Sequence, residues 1–112
     1  MHAHTSETVV AGTVVVTVDG PVDLATIATV RDSLLASIRR HPGDTIAVDV
    51  DAVTVLDDTG LGILLGAAAA AREAGGDLVI VCSAGTRRER LARTGLDRAI
   101  SVRRTLGSEA TE

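Results

Sequence analysis

Two periodicities of apolar residues alternate along the chain. Residues 8–19 are dense in Val and Thr and are interrupted at Ala11-Gly12. Branched side chains favour extended backbone, so this segment predicts two short strands or one hairpin, Val9-Val10 followed by residues 14–18. Gly20-Pro21 breaks it. Asp23 stands where a helix N-cap belongs, and Leu24, Ile27, Val30, Leu34 and Ile38 follow at helical spacing. Arg39 and Arg40 suit the end of that helix, where the backbone dipole favours cations, and Pro42-Gly43 stops it. Over residues 45–51 the period becomes two: Ile46, Val48 and Val50 alternate with Ala47, Asp49 and Asp51, the signature of a strand. Residues 52–56 read as a short link. Beyond Asp57-Asp58-Thr59-Gly60 the sequence is apolar nearly all round through Ala71, which predicts a well-buried helix ended by Gly75-Gly76. The continuous apolar run 78–82 fits a strand covered on both faces. Thr86 and Glu89 have the spacing of a capping box, Leu91, Ala92 and Thr94-Gly95 complete a short third helix, and residues 99–102 suit a last edge strand.

Strands that alternate with helices pair in parallel through right-handed crossovers. The expected object is a single α/β domain, a mixed and mostly parallel β-sheet packed with three to four helices. It is expected to fill residues 8–104, with a flexible tail over 1–7 and a frayed one over 105–112. The length of 112 residues suits one domain. Aromatics make up 0%, so the core must be aliphatic.

Composition removes several functions. All 11 basic residues are Arg, so no Lys is present for a phosphate-binding P-loop or for Schiff-base chemistry. A net charge of −4 and the lack of stacking aromatics argue against nucleic acid. The apolar stretch 61–71 is too short for a bilayer, which takes about 20 residues. One cysteine and an N-terminus without a secretory pattern point to the cytoplasm. Cys82 lies in an apolar run and His2, His4 and His41 suggest no nucleophile–base pair, so no enzyme is expected. Gly60, Gly62 and Gly66 miss the dinucleotide fingerprint, whose third glycine would fall at Leu65; close helix–sheet packing is their expected role. Asp49 and Asp51 share one strand face while Asp57 and Asp58 lie beyond a turn, so no metal or other cofactor is expected. Arg87, Arg88, Arg90 and Arg93 read as a solvated basic face.

The informative stretch is residues 56–62, which follows a strand and opens a helix. Unsatisfied N–H groups and the helix dipole favour negative charge there. Asp57 or Asp58 can serve simply as the cap; the same place also accepts an anion or a phosphorylated side chain.

Residues 48–62, with their Asp57-Asp58-Thr59-Gly60-Leu61-Gly62, closely resemble the signature of STAS domains, in particular the stand-alone anti-sigma factor antagonists. Gly20-Pro21-Val22-Asp23 is similar to that family's turn before the first helix. Residues 74–79 resemble its glycine turn, and residues 91–96 its Leu-x-x-x-Gly-Leu segment. The resemblance implies a partner-binding module that captures an anti-sigma factor, a GHKL-type serine kinase, and so frees a sigma factor. It implies a surface made of Asp23, Leu24, Asp57, Asp58, Thr59, Gly60, Leu61 and Gly62. A weak homodimer is a further expected association, and no nucleic acid or membrane partner is expected. In the family a Ser in the Asp-Ser-Ser/Thr-Gly motif receives phosphate and releases the antagonist. Here that position is Asp58. Three readings follow: Asp58 mimics phosphoserine with a smaller charge, or it merely caps the helix, or Thr59 has become the acceptor. Loss of ordinary phospho-regulation is the reading preferred over Thr59. The rival to an antagonist is a scaffold of the same fold that oligomerises in a stress-signalling complex.

Overall fold

The first two strands meet at a turn whose residues Ala11 and Gly12 both have positive φ, 51° and 81°. Two consecutive left-handed residues form the tight turn whose twist matches that of the strands it joins. In this computed structural model, which describes residues 2–83 and 85–105, β1 (His4–Val10) and β2 (Thr13–Val22) are therefore antiparallel neighbours. They are followed by α1 (Ile27–Arg40), β3 (Thr45–Leu56), α2 (Asp58–Glu73), β4 (Asp77–Val81), α3 (Gly85–Arg93), α4 (Leu96–Ala99) and β5 (Ser101–Arg103). The sheet order is β1-β2-β3-β4-β5, and every pair after the first is parallel. The expected mixed, mostly parallel architecture is what forms.

Parallel strands in sequential order, joined by right-handed crossovers, put all their helices on one face. The packing agrees. Val14, Val16 and Val18 of β2, Ile46, Val48 and Val50 of β3, and Leu78 and Ile80 of β4 form one buried cluster with Val30, Leu34 and Ile38 of α1, Leu61, Leu64 and Ala68 of α2, Leu91 of α3 and Leu96 of α4. The intervening Val15, Ala47, Val79 and Val81 make a smaller buried cluster on the opposite face.

Several boundaries differ from expectation. Residues 4–7 are not a flexible tail: β1 begins at His4, because Thr5 and Glu7 bond to α1 (Thr5 Oγ1 donates to Ser33 Oγ, 2.7 Å; Ser37 Oγ donates to Glu7 Oε1, 2.6 Å). Gly20-Pro21 does not end β2; with φ +97° at Gly20 the strand shifts register there and continues to Val22. Residues 52–56 are strand rather than link, since Ala52, Val53, Val55 and Leu56 pair with that continuation of β2. α1 starts at Ile27 rather than after Asp23, and α3 begins at Gly85, one residue before the Thr86 expected at its cap. α2 is not buried all round: Gly62, Leu65, Gly66 and Ala69 face solvent. Of the tail expected over residues 105–112, residues 106–112 lie outside the described residues.

Candidate functional site

The carboxyl ends of β2 and β3 are adjacent, with Val22 paired to Leu56. The chain leaves both strands at one rim of the sheet, so the two segments singled out in the sequence come together. Asp57 N–H reaches Val22 O at 3.5 Å. Open α/β sheets present ligand and partner sites at such carboxyl ends.

The turn after β2 is built around Thr26, which is buried. Its hydroxyl donates to Pro21 O (2.7 Å) and accepts from Asp23 N–H (3.1 Å). Asp23 Oδ1 accepts from Ala25 N–H (3.0 Å). The expected N-cap at Asp23 is thus a turn: its carboxylate is spent locally, and Thr26 occupies the cap position of α1 without capping it by its side chain. The geometry leaves Leu24 at the tip, 78% exposed.

The second segment is a true helix start. Asp57 is extended (φ −91°, ψ −177°), and its Oδ1 accepts from Gly60 N–H at 3.0 Å. Asp57 therefore makes the side-chain cap, and Asp58 stands in the first turn of the helix. Asp58 and Thr59 are exposed in the first turn, and Leu61 is buried. Gly60 sits where the helix presses on the two strand ends. A Cβ there would lie 2.8 Å from Leu56 Cδ1, 2.9 Å from Val22 Cγ1 and 3.1 Å from Val22 O. The packing role expected of all three glycines holds for Gly60 alone, since Gly62 and Gly66 face open space.

Below the cap, a strip of Gly62, Leu65, Gly66 and Ala69 runs down the exposed side of α2. Leu61 and Leu65 also line a shallow cleft of about 180 Å³ with Thr94, Gly95, Leu96 and Ala99. Val55 is exposed beside Pro21. Thr26, Val55 and Leu65 escaped the sequence reading. Only Thr26 had a usable signal, its place three residues after Asp23.

The far half of β3 extends past β4, whose pairing stops at Asp49–Val81. Its free carbonyl at Val50 accepts from Arg87 Nη1 (2.6 Å), so Arg87 is not a merely solvated residue. The Asp51 carboxylate accepts from Ser83 N–H (2.7 Å) and Ser83 Oγ (2.9 Å). Among the described residues no group of three or more His, Cys, Asp or Glu is placed to hold a metal, and no helix is long and apolar enough to cross a membrane.

The STAS domain model matches residues 4–109. The chain belongs to the STAS domain family. This STAS domain is similar to the crystal structure of an anti-sigma factor antagonist from Mycobacterium paratuberculosis, with 26% identity over 97% of this chain and 92% of that one and a TM-score of 0.82. It shares its fold with the anti-sigma factor antagonist SpoIIAA in its unphosphorylated form (20% identity, 96% and 92% coverage, TM-score 0.71). The phosphorylated form of SpoIIAA, a Bacillus cell fate determinant, superposes less closely (20% identity, 96% of both chains, TM-score 0.65). No curated protein sequence matches the chain.

Proposed function

We propose that this STAS domain is an anti-sigma factor antagonist that docks on its anti-sigma factor through Asp23, Leu24, Asp57, Asp58, Thr59 and Gly62, a surface that the buried Gly60 and Leu61 hold in place. The supporting observation is the juxtaposition of two solvent-facing turns at one rim. An exposed leucine stands beside carboxylates, and an uncharged strip of α2 begins at their border. Residues 5–30 and 42–71 hold no Arg, Lys or His. A partner complementary to this surface carries an apolar pocket for Leu24 ringed by basic groups. Similarity to the mycobacterial antagonist over nearly the whole chain favours the same reading.

The switch in this chain is altered. Position 58 offers a carboxylate with one charge, where phosphoserine carries about −1.5 to −2. It has no hydroxyl to receive a phosphate. Because Asp57 already satisfies the helix start, the Asp58 charge is free to act on the partner. Binding is then fixed by a permanent charge rather than toggled by a serine kinase, and Thr59 is the remaining hydroxyl of the segment. The test is to measure affinity for the cognate anti-sigma factor with wild type and Asp58→Ser side by side. Both are then incubated with kinase and ATP, and phosphate is mapped by mass spectrometry. Wild type should bind and stay unmodified, and Asp58→Ser should take phosphate at residue 58. Stoichiometric phosphate on Thr59 of the wild type overturns the fixed-charge reading. No binding by either protein overturns the antagonist reading.

A further inference from the structure

The two borders of the sheet differ. β5 is three residues long and contains Arg103, whereas β1 offers seven residues in unbroken register with β2. Natural edge strands are guarded by Pro, Lys, bulges or inward charges. β1, His-Thr-Ser-Glu-Thr-Val-Val, has no Pro, Lys or Arg, and its pairing shows no bulge. Its one acidic side chain, Glu7, is drawn off the edge onto α1, bonded to Ser37 (2.6 Å), Arg40 (2.5 Å) and His41 (3.0 Å). The guard is neutralised.

Hairpin geometry tells which backbone groups are free. Val10 and Thr13 flank the two-residue turn and so form a hydrogen-bonded pair. Alternation makes Thr8, Ser6 and His4 the other residues bonded to β2. The N–H and C=O groups of Thr5, Glu7 and Val9 therefore point outward. A two-fold axis through Glu7 sets Thr5 against the partner's Val9, both from the outward-bonding set, and aligns the whole strand with itself. His4 then lies against the partner's Val10 and covers a residue that is 46% exposed, and Thr5 covers Val9, which is 63% exposed. Two Glu7 residues opposite each other would repel. Here each already holds an Arg40 whose side chain is half exposed, so the seam carries two carboxylates against two guanidinium groups.

We propose that two copies of this chain associate by antiparallel pairing of their β1 strands into one continuous sheet, a symmetric form of strand addition. The proposal does not depend on the function assigned to the other rim. Sedimentation equilibrium of the full chain, from micromolar to near-millimolar concentration, tests it with two variants. Val9→Pro removes an outward N–H without taking a bond from β2. Val9→Lys adds an edge charge and leaves the backbone intact. Wild type should rise from 11.5 kDa toward twice that mass. Both variants should keep the wild-type circular dichroism and urea midpoint while weakening association at least about tenfold. A wild type that stays monomeric throughout overturns the proposal. So does a folded Val9→Pro that dimerises like wild type. Should Val9→Pro fail to fold, Val9→Lys decides alone, and its unchanged association counts against the seam.

Discussion

Glu7 and Asp58 are both acidic, both lie where a strand meets a helix, and both border solvent, yet their surroundings are opposite. Ser37, Arg40 and His41 converge on Glu7. The Ser37 hydroxyl first, then Arg40 and His41, stabilise its charged form and hold its carboxyl down at about 2. Among the described residues no hydrogen bond or ion pair holds Asp58, because Asp57 has taken the helix N–H. One carboxylate is used up in joining β1 to α1. The other is left for whatever arrives from outside.

The sharpest way to break this contrast is to remove the ground on which Asp58 stands. Gly60→Ala forces a Cβ onto Val22 and Leu56 and should cost about 2 kcal/mol in chemical denaturation, an overpacking penalty. The stiff, branched Val22 cannot yield as easily as the end of Leu56. Glu7→Gln comes next, with a loss of about 1 kcal/mol, since the cluster is partly open to water. Its pH signature has a definite sign. The folded pKa lies below the ordinary 4.5, so the wild type holds this stabilisation above about pH 4.5 and loses it as the pH falls toward 2. The urea midpoint of Glu7→Gln should therefore fall less steeply over that window. Gly62→Ala acts in the other direction: with open space around it, it should stabilise by about 0.5–1 kcal/mol through helix propensity. If α2 is the docking face, the same variant weakens the partner complex, which calorimetry would read. Asp58→Asn should be smallest in stability, under about 0.5 kcal/mol, while shifting the salt dependence of partner binding. A stability loss as large as that of Glu7→Gln would erase the distinction between the two carboxylates.

The order of strands and helices was legible because interior segments bury one face at a fixed period. Ile46, Val48 and Val50 are an instance. The cap at Asp57 was legible from the chemistry of helix starts, though the sequence left Asp57 and Asp58 equivalent. What escaped was set by tertiary contact. The first half of β1 looked like a tail because an edge strand whose side chains bond to Ser33 and Ser37 needs no apolar alternation. Residues 52–56 looked like a link because the register shift at Gly20 breaks the period of the strand beside it. Asp23 resembled a cap because an Asp before an apolar repeat is ambiguous until Thr26 claims the turn. The glycines of α2 carried equal weight in the sequence, and only the packing separates Gly60 from Gly62 and Gly66.

The overhang of β3 beyond β4 makes the rim of the molecule a cantilever. The beam that launches α2 is clamped by its neighbour β2 on one side, and on the other it is held by Ser83 on Asp51 and Arg87 on Val50. Arg87, on α3, thus ties that helix to the strand that launches α2.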